Sequence, residues 1–194
     1  MQWLLEQLAL SSPWELLAVV LAVTYLVLAA HQSLWCWPAA AISCTIYMIL
    51  MYHAQLYMYA ALNVVYIGMA GYGYWQWRQL PTAASVTAIE LGWRGHIKLI
   101  LLWSVVAALV AMLLLRYTDA EAVWLDTYLA VFSVVATWLL ARKKFATWYY
   151  WLVIDCAYVY LFILQGFVAT ALLHVIYVGL VFYAMWQWQR EARK

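Results

Sequence analysis

An all-α integral membrane protein, with seven transmembrane helices in a 3+1+3 parallel-repeat arrangement, is the fold class this sequence predicts. Three observations predict it: an apolar composition, a series of bilayer-length apolar runs, and one three-run pattern that occurs twice. Of 194 residues, 70% are hydrophobic and only 9% are charged, and the mean hydropathy is +0.86. A soluble domain carries about 25% charged residues, so water could not wet this surface. A single membrane domain, 1–194, is expected. The net charge of +2 and the lack of a basic tract exclude a nucleic-acid partner. Cys36, Cys44 and Cys156 fall in apolar runs without metal-ligand spacing and read as small buried hydrophobes. MQWLLEQLALSSPWE lacks the basic start of a cleaved signal peptide, so the first span is expected to remain.

About 20 apolar residues cross a bilayer as a helix, and unsatisfied backbone groups forbid most alternatives. Seven runs fit: 14–32, 35–53, 57–77, 97–115, 122–141, 146–165 and 167–188. The breaks are short (HQSL, HAQ, ARKKF, LQG), apart from QLPTAASVTAIELGWRGH, which contains Pro81 and is the expected linker. Orientation follows from Lys and Arg. With seven spans, nine of the ten basic residues share the side of the C-terminus and only Arg116 lies opposite. A cytoplasmic C-terminus and an external N-terminus are therefore expected.

A shift of 111 residues aligns LNVVYIGMAGYGYWQW (62–77) with LHVIYVGLVFYAMWQW (173–188). Leu62/Leu173, Tyr66/Tyr177, Gly68/Gly179 and the two WQW ends are identical, and the same shift pairs Trp37 with Trp148 and Tyr47 with Tyr158. Residues 14–77 and 122–188 thus read as two three-helix repeats, with 97–115 as the linker helix that keeps both the same way up. A cavity on the repeat axis is where a transporter of this build binds substrate. Belt position accounts for Trp75, Trp77, Trp186 and Trp188. It does not account for Tyr66/Tyr177 or Gly68/Gly179, well inside the spans.

Of eight acids, Glu6, Glu15, Glu90, Asp119, Glu121, Asp126 and Glu191 can be placed near water. Asp155 cannot: about 1.5 Å per residue from the start of its span puts it ~13 Å deep. An ionisable residue there costs about 2.5–3.5 kcal/mol on insertion scales and marks a candidate site. Trp148, Trp151, Asp155 and Tyr158 share one helical face. Ring quadrupoles and a counter-charge are the two halves of a cation site. The competing role for Asp155 is a proton, or a bond to a neighbouring helix, with the aromatics only packing. Asn63 and His174 occupy equivalent repeat positions beside Tyr66 and Tyr177, and each could equally be an interhelical hydrogen bond. The repeat mate of Asp155 is Cys44, so one half alone supplies charge. Gly68, Gly71, Gly73 and Gly179 read as close-packing positions.

Other function classes lack their residues. His31, His53, His96 and His174 lie on four segments, against a bis-His haem or a di-metal site. The last span has no Lys for retinal, and neither charge rings nor filter loops indicate a channel. No enzyme constellation, metal site or cofactor is expected; a carrier of a flat organic cation is.

LYMYAALNVVYIGMAGYGYWQW, with Asn63, resembles the third core helix of the PnuC-type vitamin transporters, and Trp148 and Trp151 in TWYYW are similar to that family's W-x-x-W motif. The 3+1+3 layout is shared with the SWEET sugar transporters, and the resemblance covers essentially the whole chain. It implies facilitated diffusion of an unphosphorylated B-vitamin across the bacterial inner membrane, trapping by a cytoplasmic kinase, and a homotrimer. It implies Asn63, Tyr66, Trp148, Trp151, Asp155, His174 and Tyr177 as substrate-binding positions. The short chain and Asn63, where riboside carriers commonly have Gln, tilt the expectation to thiamine and the PnuT branch. Nicotinamide riboside is the alternative, since both vitamins carry a fixed charge on an aromatic ring. Riboflavin, neutral and larger, is disfavoured.

Overall fold

The computed structural model describes residues 13–53, 57–79, 92–117, 123–164 and 168–193. Seven helices occupy them: α1 (Pro13–Ala30), α2 (Cys36–His53), α3 (Tyr57–Gln79), α4 (Trp93–Tyr117), α5 (Val123–Ala141), α6 (Thr147–Leu164) and α7 (Val168–Ala192). The linker around Pro81 and the acids Glu6, Glu90, Asp119 and Glu121 lie outside the described residues. Hydroxyls within the helices close onto their own backbone. Thr24, Thr45, Ser133 and Thr137 each donate to the carbonyl four residues earlier, at 2.7–2.8 Å. This satisfies a polar group where the hydrocarbon offers no partner.

The expectation of seven membrane spans is corrected to six. Among the described residues α1, α2, α4, α5, α6 and, over Ala171–Ala192, α7 are long and apolar enough to cross a bilayer. The third helix, α3, is not one of them. Its apolar residues are diluted by Asn63, Gln76, Arg78, Gln79 and seven tyrosines and tryptophans. Tyr and Trp rings carry a polar tip and favour the membrane–water interface over the hydrocarbon centre.

The chain divides into two compact units, residues 1–85 with 183–194, and residues 86–182. In the first, α2 packs against both α1 and α3. The Ser43 hydroxyl donates to the Ala18 carbonyl at 2.8 Å. Trp37 is buried and meets Trp77 edge-on, with ring centroids 5.4 Å apart. Its indole also lies flat against Gly73, where any Cβ would run into the ring. Close packing holds at Gly73 alone: a Cβ at Gly68, Gly71 or Gly179 would meet nothing within 4 Å. The end of α7 is held to α1 by Trp188, whose Nε1–H donates to the Ala29 carbonyl at 3.0 Å.

In the second unit α5 packs between α4 and α6. Half of its span is buried against 11% for α4, whose Leu101, Leu102, Val105, Leu109 and Leu113 stand exposed. An apolar exterior of this extent is what lipid requires. The Thr147 hydroxyl donates to the Ala136 carbonyl at 2.8 Å and fixes the start of α6 on α5. Trp124, Tyr128, Phe132 and Tyr150 form a ladder of rings with neighbouring centroids 6.3–6.5 Å apart.

One local structure occurs in both units. At the end of α1, Ser33 N–H donates to Leu28 and Gln32 N–H to Ala29; at the end of α5, Lys144 N–H donates to Leu139 and Lys143 N–H to Leu140. This paired pattern closes a helix through a left-handed residue, here Gln32 (φ 53°) and Lys143 (φ 51°). These two are also 111 residues apart.

Candidate functional site

Asp155 lies on α6 and is buried, with 3% of its surface exposed. Its Oδ1 is 2.9 Å from Nδ1 of His174 on α7, an ion pair when the imidazole is protonated. Three residues separate the two helices in the chain, and the Asp155–His174 contact joins α6 to α7. The two residues therefore sit at a similar depth, about two and a half turns from the connection in α6 and two turns in α7.

Aromatic rings enclose the imidazole. Tyr158 lies 4.8 Å away, Phe162 is stacked at 5.4 Å, and Tyr177 presents its edge at 5.5 Å. Tyr158 and Phe162 are themselves stacked at 5.6 Å. Tyr158 and Phe162 follow Asp155 at helical spacing on α6, and Tyr177 follows His174 by three residues on α7, so two helix faces build the whole group. The cluster pairs one carboxylate with one titratable imidazole inside an aromatic wall. When the carboxylate is ionised, a neutral His174 leaves the cluster with one negative charge and a protonated one balances it. A cation and a proton on His174 thus compete for the same carboxylate.

Sequence reasoning named Asp155, His174 and Tyr177 separately, and the structure brings them together. It did not name Phe162, whose position one turn beyond Tyr158 was the available signal. The two tryptophans have other surroundings. Trp148 is sealed, with 1% of its surface exposed. Trp151 is half-buried against the core cluster of Leu129, Ala136, Ile154 and Leu161. Around the carboxylate's partner, His174, the structure places two tyrosines and a phenylalanine. The bond from Asp155 to a neighbouring helix, the competing role for this residue, is present. Asn63 and Tyr66 belong to the other unit and are half-buried one turn apart on α3. No group of three or more His, Cys, Asp or Glu that could hold a metal occurs among the described residues.

Comparisons with known proteins can be set beside this geometry. A protein-family profile described as "Nicotinamide mononucleotide transporter" matches residues 12–190. The riboflavin/roseoflavin transporter RibM of Streptomyces davaonensis is 26% identical, over 93% of this chain and 86% of that protein. The nicotinamide riboside transporter PnuC of Escherichia coli is 24% identical, over 79% of this chain and 75% of that protein. The crystal structure of the vitamin B3 transporter PnuC superposes with a TM-score of 0.73 at 23% identity, covering 93% of this chain and 82% of that one.

Two expectations change. The fold is that of PnuC, with seven helices and six apolar spans among the described residues, and not a SWEET-like one with seven spans. Thiamine and the PnuT branch have no support from these relatives, which are named for nicotinamide riboside and for a flavin. Chain length and one Asn-for-Gln exchange carry little information about the ring a carrier accepts, because neither fixes the shape of the wall around it. The chain is a multi-pass membrane transporter of bacterial type and not an enzyme, and it belongs to the nicotinamide mononucleotide transporter family.

Proposed function

We propose that this protein carries nicotinamide riboside across the bacterial cell membrane by facilitated diffusion, with a cytoplasmic kinase trapping the vitamin. The observation that carries the reading is the Asp155–His174 pair inside its aromatic wall. Nicotinamide riboside is a flat aromatic ring with a fixed positive charge, and it would take both the carboxylate and the ring faces. Oδ1 is held by His174, so the cation would meet Oδ2. Asn63, Tyr66, Trp148, Trp151 and Tyr177 remain candidate substrate positions, with the amide of Asn63 suited to a ribose hydroxyl or a carboxamide.

A second reading, a flavin, is favoured by the identity with RibM over 93% of this chain. Riboflavin is neutral and would use the aromatic wall without needing the charge. Side-by-side titration of the purified protein, followed by tryptophan fluorescence, separates the two. Tighter binding of nicotinamide riboside, weakened by Asp155→Asn, supports the first reading. Tighter binding of riboflavin, unchanged by Asp155→Asn, overturns it.

Uniport is tested in liposomes without a kinase. Equilibration without accumulation is expected, and accumulation driven by a pH gradient sinks it. A homotrimer, which the family resemblance suggests, is checked by light scattering of the detergent-solubilised protein.

A further inference from the structure

Two opposite faces of α6 are in use. Positions 148, 151, 155 and 158 form one, while 149, 150 and 153 form the other, about half a turn away at roughly 100° per residue. On this second face, between α4, α5 and α6, lies a groove of about 510 Å³ walled by Ile100, Tyr128, Phe132, Tyr149, Tyr150 and Val153. Its walls are apolar and aromatic, and all three helices are apolar spans. Val153 is 69% exposed, and Tyr149 and Ile100 are exposed beside it, so the groove opens sideways into hydrocarbon. One end is polar. There His96 Nδ1 and the Tyr150 hydroxyl are 3.2 Å apart, tying α4 to α6, and with the hydroxyl donating, His96 keeps Nε2–H as a free donor.

That end also coincides with the start of α4, the end of α5 and the start of α6. Arg94, its guanidinium over the Trp93 ring at 5.5 Å, and the Arg142–Lys143–Lys144 turn are therefore at its level. No Asp or Glu occurs from Gly92 to Thr118 or from Thr127 to Ile154.

We propose that this groove is a lipid site. One acyl chain of an anionic phospholipid lies along Phe132, Tyr150 and Val153, and its phosphate is met by His96, Arg94 and the Lys143–Lys144 turn. An apolar trough under a positive collar at the headgroup level matches both parts of such a lipid. A zwitterionic lipid matches only the trough. This inference is independent of the vitamin carried, because the groove lies on the face of α6 away from Asp155.

Native mass spectrometry of the full chain tests it, with phosphatidylglycerol and phosphatidylcholine of identical acyl chains added in equal amounts. Phosphatidylglycerol is expected to be retained in preference, with its affinity lowered roughly 10-fold or more by Arg94→Gln, Lys143→Gln and Lys144→Gln together. Gln is tolerable at 143, since Gln32 holds the same left-handed conformation in the equivalent turn. Val153→Trp fills the trough and is expected to abolish retention of both lipids. Should its helical circular dichroism collapse, Ile100→Trp on the facing wall takes its place. Equal retention of the two lipids by the unaltered protein would overturn the proposal, as would undiminished phosphatidylglycerol on the groove-filled variant. Loss of an oligomer with lipid retention unchanged would overturn it too, and would assign the face to a second copy of the chain.

Discussion

His174 Nδ1 stands 2.9 Å from Asp155 Oδ1, a contact that joins α7 to α6 across 19 residues of chain. The contact joins the one deep carboxylate to the one deep histidine. What it contributes can be measured, because charged and neutral bonds between membrane helices differ in size.

A neutral interhelical hydrogen bond in a membrane protein averages about 0.6 kcal/mol, whereas a bond to a charged group contributes about 1.5–3 kcal/mol. A double-mutant cycle on Asp155→Asn and His174→Gln, read from unfolding in detergent, is expected to give a coupling above ~1.5 kcal/mol. A value near that of the neutral bond would remove the charge from the account. In substrate binding, Asp155→Asn alone is expected to weaken nicotinamide riboside roughly 10- to 100-fold, the same free energies expressed as affinity.

Gly73 lies under the Trp37 indole, so Gly73→Ala forces the ring or α3 to shift. A loss of about 1–3 kcal/mol is expected, with Trp37→Phe restoring part of it. Gly68→Ala, with open space around its Cβ, is the control and should be near neutral. Equal melting temperatures for the two alanine variants would contradict the packing described for Trp37.

Gln32 holds φ at 53°, where a side chain costs about 1–2 kcal/mol and glycine is at ease. Gln32→Gly should therefore raise stability or leave it unchanged, the gain being cut by extra freedom in the unfolded chain. Gln32→Val should lower it by more than 1 kcal/mol by the same steric argument. Melting curves that rank Val above Gly would show that the turn is not left-handed.

Topology provides a fourth test. The basic clusters at Arg94, at Arg142–Lys144 and at the C-terminal end of α7 fall on one side whether or not α3 crosses the bilayer. The sides of the N-terminus and of the α1–α2 turn are what depend on α3. A reporter fused after Lys194 is expected to be active in the cytoplasm alone, and a periplasmic signal there would reverse the proposed orientation.

The elements of the fold were largely legible in the residues. The seven apolar runs from 14–32 to 167–188 match α1 to α7 closely, because a backbone in hydrocarbon must close its own hydrogen bonds. The count of spans was not legible at α3, where seven aromatic residues look apolar by type and carry polar tips. Among the site residues, Asp155 and His174 stood out as deep polar positions. Their partnership did not, since it depends on how α6 and α7 are rotated about their axes. Trp148 read as a candidate cation-site ring because it shares a face with Asp155. Only the neighbouring elements decide that it is sealed.

The sequence by itself determined what each stretch of chain must do alone. It set helices of bilayer length, the depth of one carboxylate, and the recurrence at 111 residues that later appears as the matching left-handed turns at Gln32 and Lys143. The tertiary structure decided what each side chain meets: His174 for Asp155, the indole of Trp37 for Gly73 but nothing for Gly68, and a core cluster for Trp151. The division has a physical cause. Hydropathy and hydrogen-bond closure act along one chain segment and are written in its composition. Contacts between helices depend on their rotation and relative shift, which many weak packing terms set together.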